Sequence, residues 1–219
     1  MKKVFATIFA AALFLMGTQA YAQLSVGAGF MNAQDKTVTV ATTIVGNGTS
    51  TVNLDLNGGY AGVSYNLAIP AVNGLGLAPG AFLSALFGND DDTKYTDIAV
   101  NIPVNVTFGY NLAHDFKLVA FAGPALQIGL IKKSSYTSGG TTTINDYYSE
   151  DFYATHKRFN VLVGAGAGIE VANKYQVMVG FDWGLLKTYD DTTTVPVVGS
   201  ATVTATRPMQ IKIGVGYNF

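Results

Sequence analysis

The sequence predicts an all-β chain: a transmembrane antiparallel up-and-down β-barrel of about eight strands with long external hairpin loops. Three observations predict it. Apolar residues alternate with small or polar ones over long runs, and the connections between these runs alternate between short and long. Charged residues make up only 12% of the chain, against roughly 25% in soluble domains. A surface so poor in charge needs something other than water to cover it.

The chain begins with an address. Lys2 and Lys3 precede an apolar run from Val4 to Met16, and small and polar residues follow up to Ala20-Tyr21-Ala22. That order is the order of a secretory signal peptide, residues 1–22, cleaved before Gln23. Residues 23–219 then form one barrel domain, with no Pro-rich or Ser-rich linker to divide it. The apolar run is too short to cross a bilayer as a helix, and no other segment reaches the ~20 apolar residues that a membrane helix needs. Export combined with spanning strands places the expected location in the outer membrane.

The clearest strand runs from Ile98 to Leu112. Ile98, Val100, Ile102, Val104, Val106, Phe108, Tyr110 and Leu112 alternate with Ala99, Asn101, Pro103, Asn105, Thr107, Gly109 and Asn111. A transmembrane strand needs about 9–11 residues of such a pattern. The last segment repeats it, with Met209, Ile211, Ile213, Val215, Tyr217 and Phe219 on one face and Gln210, Lys212, Gly214, Gly216 and Asn218 on the other. Lys212 cannot face lipid, so the Gly-rich face is the lumen. Parity then turns Asn160, Gly164, Gly166, Gly168 and Glu170 inward over Phe159 to Ala172, and Gln176, Gly180, Asp182 and Gly184 inward over Tyr175 to Leu186. Phe116 to Ile131 turns Lys117, Gly123, Gln127 and Gly129 inward, and Leu24 to Met31 does the same with Ser25, Gly27 and Gly29. Gly58 to Leu67 and Gly74 to Leu86 bring the count to eight. Charges and glycines choose the same face, as a narrow barrel filled by side chains requires.

Short turns fall near Ala68 to Asn73, Asn111 to Asp115 and Ala172 to Lys174. Long polar connections fall at Asn32 to Asn57, Gly88 to Asp97, Lys132 to Arg158 and Lys187 to Arg207. Short periplasmic turns and long external loops are the outer-membrane arrangement. Three of the long connections read as hairpins that carry the strands beyond the membrane, with tips at Gly46-Asn47-Gly48, Gly139-Gly140 and Gly199-Ser200. Tyr65, Tyr110, Phe116, Tyr175 and Tyr217 lie near the short turns or the C-terminus, where an interfacial girdle belongs.

A family resemblance rests on the second half of the chain. Gly164-Ala165-Gly166-Ala167-Gly168-Ile169-Glu170-Val171, the turn at Asn173-Lys174, and Gly180-Phe181-Asp182-Trp183-Gly184-Leu185-Leu186 resemble the porin-like outer membrane protein beta-barrel domain family, the small OmpA/OmpX-type barrels. The ending Tyr217-Asn218-Phe219 looks like the terminal signal by which such barrels engage the barrel-assembly machinery. The resemblance therefore implies Tyr217 and Phe219 as an assembly signal, and outer-membrane lipid and that machinery as partners.

Chemistry is sparse. There is no cysteine, which excludes disulfides and thiolate metal sites. Loss of Lys2 and Lys3 leaves 11 of the 13 basic residues against 14 acidic ones, so no basic stripe is left for nucleic acid. Gly164, Gly166 and Gly168 run into a strand rather than a helix, unlike a dinucleotide loop. Asp90-Asp91-Asp92 lacks the spaced ligands of a calcium loop and reads as a solvated tip. No cofactor or metal is expected. His114 sits in a short turn, and His156 sits near the barrel mouth with Ser149, Glu150 and Asp151 close in sequence. The lipid A deacylase arrangement of a serine two residues after the histidine is missing, because Arg158 stands there. The remaining constellation is lumenal: Lys117 with Glu170, and Asp182 with Lys212, each on neighbouring strands and each charge in need of a partner.

The expected function is therefore non-enzymatic: a surface or structural barrel whose lumen is filled by side chains and whose external loops bind an unknown ligand. A small-solute or ion channel is the alternative, and an enzyme acting on outer-membrane lipid comes last.

Overall fold

Alternation at period two sends successive side chains to opposite faces of a strand, so each run described above can be lipid-facing on one side and lumenal on the other. The computed structural model describes residues 22–43, 46–149, 156–195 and 199–219. They form β1 (Ala22–Thr43), β2 (Gly46–Ala68), β3 (Leu75–Asp90), β4 (Thr93–Ala113), β5 (Phe116–Ser138), β6 (Thr141–Asp146), β7 (Phe159–Val171), β8 (Tyr175–Gly184), β9 (Lys187–Val195) and β10 (Gly199–Asn218). All pairings are antiparallel. Eight strands close the ring in the order β1, β2, β3, β4, β5, β7, β8, β10, and β10 returns to β1. The other two are arms: β6 pairs only with the end of β5 beyond Ile131, and β9 only with the start of β10.

Ser25 opposes Asn218, so both ends of the ring meet at the end that carries the short connections 69–74, 114–115 and 172–174. Ala172 and Asn173 adopt left-handed φ of 53° and 54° to turn the chain there. At the opposite end Gly139 and Gly140, φ 56° and 79°, make the β5–β6 turn, because a tight hairpin of this twist needs positive φ at both central residues.

Several long connections are shorter than their polarity suggests. The stretch Gly88 to Asp97 is not a long loop: β3 and β4 pair up to Asp90↔Thr93, and the chain reverses over two residues with Asp91 at φ 47°. β1 and β2 likewise stay paired up to Thr43↔Gly46, so Gly46, Asn47 and Gly48 belong to β2 rather than to the apex. Gly199 and Ser200 begin β10, and the apex of that hairpin lies outside the described residues. Thr- and Val-rich sequence pairs equally well whether its outer face meets lipid or water, so polarity marks the membrane boundary and not the strand end. β2 and β5 each run for 23 residues, roughly twice the 9–11 that span a membrane, so the hairpins stand tall.

Outside, the wall is apolar, with Val177, Val215 and Trp183 all exposed. Inside, glycine permits close approach: a Cβ on Gly29 would run into the backbone at Ile213 and Gly214. Four register shifts interrupt the ladders among the described residues: between Gln34 and Lys36 against β10, between Ile98 and Ala99 and between Asn111 and Ala113 against β5, and between Ala205 and Thr206 against β9. Each shifts which residues point inward beyond it.

Candidate functional site: the barrel lumen

The lumen is filled in tiers. Nearest the short-turn end, Lys117 and Glu170 are register partners on β5 and β7, and the lysine Nζ lies 3.3 Å from Glu170 Oε1. Gln176 Nε2 donates to Glu170 Oε2 at 2.8 Å, and Asn218 Nδ2 donates to the same oxygen at 2.9 Å. Ser25 Oγ donates to Asn218 Oδ1 at 2.6 Å. One buried carboxylate thus gathers β5, β8 and β10, and through Asn218 it reaches β1.

Asp182 and Lys212 are the second expected pair. Lys212 opposes Gly180 in register while Asp182 opposes Gln210, so the two sit on a diagonal, with Nζ 2.5 Å from Asp182 Oδ2. They form part of the wall of a cavity of about 130 Å³ that Tyr60, Phe82, Phe121 and Met178 also line.

Towards the tall end, Met31, Ala33, Leu56, Leu86 and Leu162 are each no more than 1% exposed and form an apolar ceiling. Beside it runs a string of donors: Gln127 Nε2 to Asn101 Oδ1 at 2.9 Å, Asn101 Nδ2 to Ser84 Oγ at 3.1 Å, and Ser84 Oγ to the Ala99 carbonyl at 3.2 Å. The side-chain amide of Gln210, 1% exposed, finds no protein partner for either atom.

The tightest charge cluster lies here, and it is one that sequence reasoning missed. Arg207 donates from Nε to Asp35 Oδ1 at 2.6 Å, and from Nη2 to Asp35 Oδ2 at 3.1 Å and Asp97 Oδ2 at 2.7 Å. Lys132 Nζ reaches Asp35 Oδ2 at 2.7 Å. Two cations and two carboxylates from β1, β4, β5 and β10 therefore form a neutral quartet with the arginine 4% exposed. All four residues fall at or inside the edges of stretches that read as loops. The available signal was Pro208: a proline inside an alternating run marks a ladder irregularity, beyond which parity reverses.

Above the quartet, the Tyr148 hydroxyl occupies the space beside Gly129, and the Arg158 guanidinium lies 4.6 Å over the Tyr148 ring. His156 packs against Tyr147 at 4.9 Å and Tyr189 at 5.3 Å, ring to ring. Glu150 and Asp151 lie outside the described residues, so their expected proximity to His156 is not described. On the external arm, hydrogen bonds from Lys187 and Thr204 hold the exposed Asp190 carboxyl below its ordinary value. His114 is exposed in its turn, 2.9 Å from Asp115 Oδ1. Among the described residues, no three His, Cys, Asp or Glu side chains gather as a metal ligand set. At the C-terminus, Phe219 donates its backbone N–H to the Leu24 carbonyl at 2.9 Å, and its ring meets Tyr217 edge-on at 5.0 Å. Tyr217 in turn meets Tyr175 at 5.5 Å.

Solved structures similar to this chain are outer-membrane barrels. OprG from Pseudomonas aeruginosa is 11% identical, with 91% of this chain and 96% of that chain covered and a TM-score of 0.46. Neisserial surface protein A is 13% identical, with 88% and 99% covered and a TM-score of 0.37. The outer membrane enzyme PagL is 11% identical, with 84% and 98% covered and a TM-score of 0.40. No curated protein matches the chain. The model of the outer membrane protein beta-barrel domain family matches residues 6–219, and the chain belongs to that family.

Proposed function

We propose that this protein is a non-conducting, non-enzymatic outer-membrane barrel that works through its tall external hairpins, as a surface-binding or supporting protein. The observation that carries this reading is the occluded lumen. The buried Met31, Ala33, Leu56, Leu86 and Leu162, together with the Arg207 quartet, place side chains across the ring. An eight-stranded barrel has an interior just wide enough for side chains to fill.

The hairpins supply the reactive surface. β1–β2, β5–β6 and β9–β10 carry Thr, Ser and Tyr on exposed strands, and the quartet ties the bases of their strands together. Such arms present a rigid polar face to an external ligand. Assembly would use Tyr217 and Phe219 as the signal read by the barrel-assembly machinery, since both rings lie at the open end of the last strand. His156 is engaged with two tyrosine rings, which favours a packing role for it over that of a base.

Planar-bilayer recording of the purified protein tests the reading. The expected result is no stepwise conductance at neutral pH. Ohmic steps with ion selectivity that changes in Asp182→Asn would replace it with the channel alternative.

A further inference from the structure

Three prolines stand in interior strands of the ring: Pro79 in β3, Pro103 in β4 and Pro124 in β5. Proline has no N–H for the ladder and is normally confined to edge strands and bulges. Here the pairing lapses beside each. β2 and β3 are bridged up to Ser64↔Gly80 and again from Leu67↔Leu77. β3 and β4 are bridged up to Pro79↔Val104 and again from Phe82↔Asn101. β4 and β5 are bridged up to Pro103↔Ala125 and again from Val106↔Ala122. The register is the same on both sides of every gap, so nothing is inserted and the strands lie side by side unbridged. The walls β1–β2, β5–β7, β7–β8 and β8–β10 are bridged residue by residue.

The three gaps adjoin, and they meet the cavity. Asn66, Ala78, Pro103 and Asn105, all on this line, also line the 130 Å³ space. On the inner face the Phe82 ring lies against Gly80, where an added Cβ would stand 2.8 Å from Phe82 Cε2. Met31 of the ceiling lines the cavity on one side, and Gln176, whose amide donates to Glu170, lines it towards the short-turn end.

We propose that this cavity is a binding site for small, mainly apolar molecules carrying one polar group, and that they enter from the surrounding lipid through the β3–β4 gap at Gly80, Ala81, Ile102 and Pro103. The lining selects this class. Phe82, Phe121 and Met178 offer apolar and aromatic surface, and the Asp182–Lys212 pair offers an acceptor and a donor to one hydroxyl or N–H. A cavity of this order accepts a benzene-sized molecule. Such solutes concentrate in hydrocarbon, and at the gap β3 and β4 lack the ladder bond that an N–H at Pro103 would donate, so fewer bonds hold the two strands together there than elsewhere. The proposal borrows only the closed ceiling from the function proposed above. Conductance bears on that ceiling alone and ligand contact bears on the cavity alone, so the two readings fail separately.

Phenol is the probe, with the methionine methyls of protein purified from membranes into lipid nanodiscs as reporters. Phenol should shift the Met178 methyl saturably and leave Met209, which does not line the cavity, unmoved. Ala78→Phe fills the space and should abolish the shift; Ala125→Leu serves the same purpose if that variant does not fold. Because the chain has no cysteine, Ala81→Cys with Ile102→Cys places a single staple across the gap. With this pair reduced, phenol should exchange as in the unmodified protein. Oxidised, exchange should slow by about tenfold or more at unchanged saturation, and Phe82→Ala should speed it. Shifts that do not saturate, or that persist in the filled variants, overturn the site. Equal exchange rates in the oxidised and reduced forms overturn the entry route.

Discussion

Arg207 on the last strand reaches Asp35 on the first, with its Nε 2.6 Å from the carboxylate, while its Nη2 holds Asp97 on the fourth at 2.7 Å. The guanidinium thus ties β10 to its neighbour β1 and also to β4, with which β10 does not pair. Its removal leaves Asp35 with Lys132 and takes from Asp97 the guanidinium it pairs with. Arg207→Met should therefore lower the stability of the folded barrel by about 3–5 kcal/mol. Replacing Arg207, Asp35, Asp97 and Lys132 together with apolar residues of similar size should cost less than that single change. Urea unfolding in lipid vesicles, followed by fluorescence of the single tryptophan, Trp183, measures both. A quadruple variant weaker than Arg207→Met would show that the quartet is more than a self-compensating plug.

Asp182 and Lys212 should be energetically coupled. A double-mutant cycle with Asp182→Asn and Lys212→Met is expected to give an interaction of about 1–3 kcal/mol. Additive single effects would mean that the 2.5 Å contact contributes nothing to folding.

Gln210 points the other way. Its buried amide has no protein partner, and an unmet donor and acceptor in such a place are costly. Gln210→Met keeps the volume and removes both polar atoms. It should raise stability by about 1–2 kcal/mol, seen as a higher urea midpoint; a lower midpoint would point to water bonded at the amide.

Deleting Phe219 should affect biogenesis more than stability. Its ring is 70% exposed and contacts Tyr217, so little packing is lost from the finished barrel. The expected outcome is much less heat-modifiable protein in the membrane fraction, with near-normal unfolding of the fraction that does insert. Equal insertion of the shortened chain would refute the signal role.

The alternation of Ile98 to Leu112 and of Met209 to Phe219 made the membrane part of the barrel legible, because one face must suit lipid and the other a narrow interior. Lys117, Glu170, Asp182 and Lys212 were legible for the same reason: each lies on an unbroken parity run. Asp35, Asp97, Lys132 and Arg207 were not. They lie at or inside the edges of polar stretches, where the alternation fades. Bulges near Pro208 and Leu130 also reverse the parity by which Arg207 and Lys132 would have been found. Register was equally hidden, since nothing in the chain specifies that Asp182 opposes Gln210 rather than Lys212. Strand pairing offset accumulates around a closed sheet and is set by shear, a property of the whole ring.

The bond between Ser25 and Asn218 joins residues 193 apart in the chain. No shorter piece of the polypeptide can make that junction, and a sheet of this kind left open exposes an unpaired edge. The ring is thus completed only when β10 meets β1. Architecture of this kind makes closure a long-range step, because nearly the whole chain must be gathered before the junction can form.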